Sequence, residues 1–269
     1  MRVEYHRKFA AMNTRFEIIL RGEDEQHLEA VAVMVSEEIQ RLDATLSRFN
    51  PSSEIARLNR HANTNAVKVD REIFALLERC ECARKTTQGF FDIAAASGGA
   101  GLELDAENCA IRFTDAATQI DLGAIGKGYA LDCGREILLR YGVTNGLLQG
   151  GTSSILAIGA DDWPIDVRHP LMPDKIVQRI ELKNCGFSCS AARHAEQLHS
   201  DIINPHSGES LSGDEACAVL AESATEAEIF STALLAMGQA KAAHFLADNL
   251  ALKIRVIWID QTGKCMTEK

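Results

Sequence analysis

Apolar residues at Leu28, Val31, Val35, Ile39 and Leu42 lie three or four apart, which predicts a helix that starts at Asp24 or Glu25 and buries one face. The same spacing at Ile73, Leu76, Leu77, Cys80 and Ala83 predicts another. Between them, Asn50-Pro51-Ser52-Ser53 marks a turn, and Ser53 is placed to cap a short helix through Ile55 and Leu58. Further helices are expected over residues 129–141, from Ser223 or Thr225 to Met237, and over residues 240–249. Thr225 precedes Glu228 by three positions, the spacing of a capping box. Alternating or compact apolar runs predict strands near residues 15–21, 67–70, 101–104, 110–113, 146–149, 154–159, 164–168, 178–182, 186–190, 216–221 and 253–259. Helices and strands follow one another irregularly, with several strands adjacent in order. The expected fold class is therefore α+β, with mixed or antiparallel sheets and packed helices, rather than a regular doubly wound sheet. Five prolines form no linker and no repeat is visible, so residues 1–269 are expected to form a single domain.

Composition narrows the function classes. The chain has 269 residues, 46% of them hydrophobic, which excludes wholesale disorder. Its 28 Lys and Arg against 38 Asp and Glu give a net charge of −10, with no basic stripe. That argues against gripping nucleic acid or an anionic membrane surface. No apolar run reaches membrane-spanning length, and the start, Met1 to Lys8, lacks the apolar core of a signal peptide, so a cytoplasmic protein with no membrane anchor is expected. The eight cysteines are scattered, as expected for reduced thiols.

Three places carry candidate chemistry. Asp121-Leu-Gly-Ala-Ile-Gly-Lys127-Gly128 stands at a strand-to-helix junction. Its glycines let backbone N–H groups approach an anion and Lys127 adds a positive charge, as a phosphate or pyrophosphate site needs. The spacing is not that of a Walker A loop, and a tight turn for close packing accounts for the same glycines. Second, Glu228 and Thr232 lie four apart on one helix face, with Ser231 beside them, and can offer oxygens to a hard cation such as Mg²⁺. A first-turn Glu beside a solvent-facing Thr is the plain alternative. Third, Leu198-His199-Ser200-Asp201-Ile202-Ile203-Asn204-Pro205 gathers ionisable groups before a turn. There Asp201 can serve as a base and His199 as a proton shuttle; a solvated turn is again the alternative. His61, His169 and His206 show no metal-ligand spacing, and no serine-hydrolase elbow is present.

Taken in order, the segments resemble the FAD:protein FMN transferase family, the ApbE-like flavin transferases. Those segments are Met12-Asn-Thr14, Leu46-Ser-Arg-Phe49-Asn-Pro-Ser-Ser-Glu54-Ile-Ala-Arg-Leu58-Asn59, Thr87-Gln-Gly89-Phe-Phe91-Asp92, the Asp121 to Gly128 loop, Gly150-Gly151, Ile202-Ile-Asn-Pro-His-Ser-Gly208 and Ala227-Glu228-Ile-Phe-Ser-Thr232. The resemblance implies two lobes around a flavin cleft and FAD as substrate. It implies Mg²⁺, and transfer of FMN to a Thr or Ser of an acceptor protein with release of AMP. Met12, Phe49, Phe90, Phe91, Asp92, Asp121, Lys127 and Ile203 match flavin-site positions. The carbonyl of Ala124 and the side chains of Glu228 and Thr232 match metal ligands, with Ser231 adjacent, and Asp201 and Lys127 are the expected catalytic pair. The family pattern has His where this chain has Asp201, and Asp where it has Asn204 and Glu228. Those replacements keep an FAD pyrophosphatase, and a non-catalytic FAD-binding protein, as alternative expectations.

Overall fold

A computed structural model describes residues 2–99, 101–193 and 200–268. Its frame is an eight-stranded sheet in the order β1-β2-β6-β7-β10-β11-β12-β13, with every neighbouring pair antiparallel. In chain order β1 (Val3–Ala11) and β2 (Thr14–Gly22) form a hairpin. The connection is the two residues Met12 and Asn13, both at positive φ (48° and 56°), the left-handed geometry that a two-residue hairpin of the primed type requires. Helix α1 (Glu25–Leu46) follows, with Asp24 as its N-cap, accepting from the His27 N–H.

Ser53 caps α2 (Glu54–His61) through the Ala56 N–H. Strand β3 (Val67–Lys68), helix α3 (Arg71–Thr86), β4 (Leu102–Asp105) and β5 (Ala110–Phe113) build a small antiparallel sheet, β3-β5-β4, with its own helix. Helix α4 (Gly126–Arg140) begins three residues before the expected start, inside the glycine loop. β6 (Gly146–Gly150) and β7 (Ser154–Ile158) return to the large sheet. The hairpin of β8 (Trp163–His169) and β9 (Met172–Leu182) then leaves it, and β10 (Gly186–Ala191) and β11 (Ala216–Ala221) rejoin it. Helices α5 (Ala224–Met237) and α6 (Gln239–Asp248) precede β12 (Arg255–Ile259) and β13 (Cys265–Glu268).

The α+β expectation holds, with purely antiparallel sheets. Strands β7 and β11 are buried along their whole length. Such continuous apolar strands usually mean a parallel sheet between two helix layers. Here α1, α4 and α5 cover one face, and the β8–β9 hairpin covers the other through Trp163, Ile165, Val167, Ile180 and Leu182 against Ile155, Phe187 and Ile257. Two expectations need correction. The N-cap of α5 is Ser223, which accepts from the Glu226 N–H, so the capping residues are Ser223 and Glu226 rather than Thr225 and Glu228. Strands β1 and β13 lie outside the set of strands that the apolar pattern predicts. No helix among the described residues is long and apolar enough to cross a membrane.

Candidate active site

A cleft of about 390 Å³ opens where the turn after α3, the loop before α4, strand β10, the 201–205 segment and α5 meet. Phe90, Asp92, Asp121, Ala124, Lys127, Asp201, Ile203, Glu228 and Thr232 all line it. Segments far apart in the chain thus converge on one surface. A smaller cleft of about 140 Å³ is lined by Met12, Arg48 and Phe49, and shares Asp121, Gly123 and Lys127 with the first. Residue His199 falls outside the described residues.

The floor of the larger cleft is built on Glu228, 3% exposed on α5. Its Oε2 accepts the Gly128 N–H at 2.8 Å, in the first turn of α4. Its Oε1 accepts the Ser154 hydroxyl and lies 3.3 Å from the Lys127 ammonium. A buried carboxylate is costly unless charge and hydrogen bonds compensate it, and here three donors do so. The first turn of α4 thus directs its Gly128 N–H to a carboxylate of this same chain. Close packing also holds, because a Cβ on Gly128 would sit 2.5 Å from the Ala224 carbonyl oxygen.

A chain of hydroxyls links β10 to α5 beside Glu228. Ser190 Oγ lies 3.3 Å from Thr232 Oγ1 and 2.9 Å from Ser231 Oγ, which in turn donates to Ser188 at 3.1 Å. Oxygen donors of this kind suit a small hard cation. The Lys127 ammonium beside Glu228 marks where positive charge sits in this cleft, so the residues present fit Mg²⁺. Ser231 itself is fully buried and does not line the cleft. A Glu38, Glu72 and Cys133 group elsewhere also has metal-ligand proximity, but Arg41 already bonds both of its carboxylates.

At the rim, Asp121 pairs with Arg48 at 3.1 Å and accepts the Gly123 N–H at 2.9 Å, which folds the loop around its carboxylate. The Arg48 guanidinium lies 4.6 Å from the ring of Phe49, which is 72% exposed at the edge of the small cleft. On the opposite wall Phe90 stacks on His206, ring centroids 4.1 Å apart, and Lys241 of α6 lies over the Phe90 ring. His206 also bonds the Gln88 carbonyl, so one imidazole fastens the 204–208 turn to the Phe90 segment. Phe91 differs from Phe90: it is 1% exposed, packs in the core and lines neither cleft. Asp92 turns its Oδ1 to the Ala94 N–H. Asp201 is exposed at the cleft.

Three contributors were not singled out from the sequence. Ser154 holds Glu228; the available signal was a lone hydroxyl opening an otherwise apolar strand. Asp132 lies on the buried face of α4, one turn beyond Gly128, where an acid is out of place unless it binds something. Arg48 sits inside the Leu46 to Asn59 segment and holds Asp121.

The sequence model of the ApbE family matches residues 12–98 and 95–258 of the chain. An FAD:protein FMN transferase of Klebsiella pneumoniae (strain 342) is 24% identical over 249 residues, covering 80% of this chain and 78% of the relative. Another, of Treponema pallidum (strain Nichols), is 24% identical over 262 residues, covering 78% of this chain and 72% of the relative. Among solved structures, an ApbE protein of Thermotoga maritima superposes with a TM-score of 0.89 at 21% identity, covering 99% of this chain and 97% of that one. The flavin transferase ApbE from Vibrio cholerae superposes at 0.84 with 18% identity, covering 100% and 97%.

Proposed function

The chain belongs to the ApbE family, and from that premise we propose that it transfers FMN from FAD to a Thr or Ser hydroxyl of an acceptor protein, releasing AMP. The reading takes residues 1–269 as one domain built around the cleft. The observation that carries it is the Lys127–Glu228 pair at the floor of a cleft that also receives Asp121, Thr232, Asp201 and Phe90.

The reaction breaks the pyrophosphate link of FAD on the FMN side. The acceptor oxygen bonds to the FMN phosphorus, and AMP leaves with the bridging oxygen. Asp201 takes the hydroxyl proton, a task that suits a carboxylate exposed at the cleft, within reach of an incoming acceptor. The Lys127 ammonium balances charge building on the phosphoryl oxygens. Thr232, Glu228 and the Ala124 carbonyl are the residues that would hold Mg²⁺, and the ion supplies further neutralisation of the pyrophosphate when bound. Phe90 and Ile203 give the cleft an apolar flank for the flavin ring, and Asp92 a polar one; Met12 and Phe49 border the adjoining small cleft. The eight thiols are all free, which fits work in a reducing, cytoplasmic setting.

The test incubates the protein with FAD, Mg²⁺ and a candidate acceptor domain. Fluorescent flavin retained on the acceptor in a denaturing gel is the expected result. Release of FMN and AMP without labelled protein would instead identify a pyrophosphatase. Tight FAD binding without turnover at any Mg²⁺ concentration would identify a flavin-binding protein.

A further inference from the structure

Glu228 and Asp132 are the only buried acids among the described residues. They are satisfied differently. Asp132 is held by two backbone N–H groups and a hydroxyl, with its nearest cation, Arg135, 4.0 Å from Oδ1. Glu228 has one N–H, one hydroxyl and the Lys127 ammonium, which approaches Oε1 from the cleft side with the Lys127 side chain 25% exposed. Gly128 takes Oε2, while Oε1 is shared by the Ser154 hydroxyl and the cleft-lining Lys127 ammonium.

We propose that Lys127 is a tethered surrogate cation. Its ammonium occupies the divalent-cation position on Glu228 Oε1 until a phosphate-bearing ligand draws it away, which couples cation and ligand binding through one side chain. The inference rests on the reading of the cleft as a site for a phosphate ester and a divalent cation. A cation bound to Oε1 at about 2.1 Å would lie within a few Å of an ammonium that has not moved. Two positive charges at that separation repel appreciably in a part-buried site. Without a phosphate, Lys127 therefore competes with the cation for one oxygen. With a phosphate present, Lys127 gains an anionic partner in the same cleft and Oε1 is released. Because binding linkage is reciprocal, the cation in turn strengthens phosphate binding.

A cation bridging directly to phosphate would give coupling without any role for Lys127. The variant Lys127→Met separates the two, because it keeps the aliphatic stem and removes the charge. Mn²⁺ binding to the full chain is measured by electron paramagnetic resonance, with and without FMN, whose phosphate monoester chelates Mn²⁺ only weakly. The expected result is that ligand-free K127M binds Mn²⁺ at least about fivefold more tightly than the wild type. FMN should tighten Mn²⁺ binding to the wild type by a larger factor than to K127M. Glu228→Gln abolishes the bound signal in both backgrounds, which assigns it to this oxygen. Equal or weaker Mn²⁺ binding by a K127M protein that melts like the wild type overturns the surrogate role and leaves the cation site standing. No Mn²⁺ binding by either protein overturns the cation reading of the cleft, and the surrogate role with it. Should Lys127→Met fail to fold, Lys127→Gln carries the same comparison with the same expected direction.

Discussion

Asp132 Oδ2 accepts both the backbone N–H of Thr225, at 3.0 Å, and its side-chain hydroxyl, across 93 positions of sequence. The other oxygen accepts the Ala224 N–H. A buried acid on α4 thus completes the N-terminus of α5, and Glu228 follows one turn later. Replacing Asp132 with Ala leaves two buried N–H groups and a hydroxyl unpaired. Urea denaturation should show a loss of about 3 kcal/mol, against about 1 kcal/mol for Thr225→Val. A loss below about 0.5 kcal/mol for Asp132→Ala would contradict this role.

Two glycines in the same turn of α4 should behave oppositely. A Cβ at Gly128 would meet the Ala224 carbonyl oxygen at 2.5 Å and its carbon at 2.7 Å, both backbone atoms that cannot swing aside. A Cβ at Gly126 would meet nothing within 4 Å, and its φ is not positive. Gly128→Ala is expected to cost about 3 kcal/mol by overpacking α4 against α5. Gly126→Ala should be neutral or stabilising by up to about 1 kcal/mol, through helix propensity. Thermal melts of the two variants check the contrast.

Asp201→Asn removes the proposed proton acceptor while keeping the side chain's size. Turnover of FMN transfer should fall about 100-fold. FAD affinity should change little, because the residue is exposed at the cleft rather than part of the buried Glu228 cluster. Equilibrium titration by flavin fluorescence beside the rate measurement separates the two quantities. A loss of binding equal to the loss of rate would assign Asp201 to holding FAD.

Acid should weaken the fold. Hydrogen bonds from Arg41 hold the Glu38 carboxyl below its ordinary value of 4.5, Arg84 does the same for Glu81, and Arg21 for Glu4. A carboxyl lowered in the folded state binds fewer protons there than in the unfolded chain. Its contribution is complete above the unfolded value and is lost as pH falls through the lowered folded one. The urea midpoint should be flat near neutrality and should drop once pH falls below about 4.5, less steeply in a Glu38→Gln, Glu81→Gln variant. These pairs are partly exposed, so added salt should shrink the effect.

The thiols sort by burial. Cys82 is exposed, whereas Cys80 two residues away is buried, and burial pushes its thiol up to about 12. The Cys133 thiol is likewise pushed up to about 12 by desolvation. Only the thiolate alkylates, so iodoacetamide at about pH 8 should modify Cys82 first. Cys80 and Cys217 should react only after unfolding in guanidinium, as peptide mass spectrometry would read.

Local pattern alone specified much of this molecule. Helices α1, α2 and α3 follow from apolar spacing, helped by Asp24 and Ser53, whose side chains cap the first two within three residues; the Asp70 cap of α3 falls where a strand was expected to run to residue 70. The buried runs of β7 and β11 were legible for the same reason. Strand β1 was not, because Arg7 occupies an inward, half-buried position and breaks the apolar alternation; its guanidinium is held by Ser36. The glycine loop, the 201–205 segment and the first turns of α5 each carried an ambiguous local signal, since a tight turn or a solvated helix start uses the same residue types. The tertiary structure decided among them by bringing distant chain segments together. Thr225 looked like a cap and is a ligand of Asp132, because the partner lies on another helix. Phe90 faces the cleft and Phe91 the core, because neighbours in a turn point apart. Ser154 holds Glu228 across 74 positions, a pairing that no local spacing encodes. Periodicity and capping act over a turn or two of chain, and so are written in the sequence. Charge compensation of a buried carboxylate depends on what else the fold brings within a few ångströms, and that only the packed chain determines.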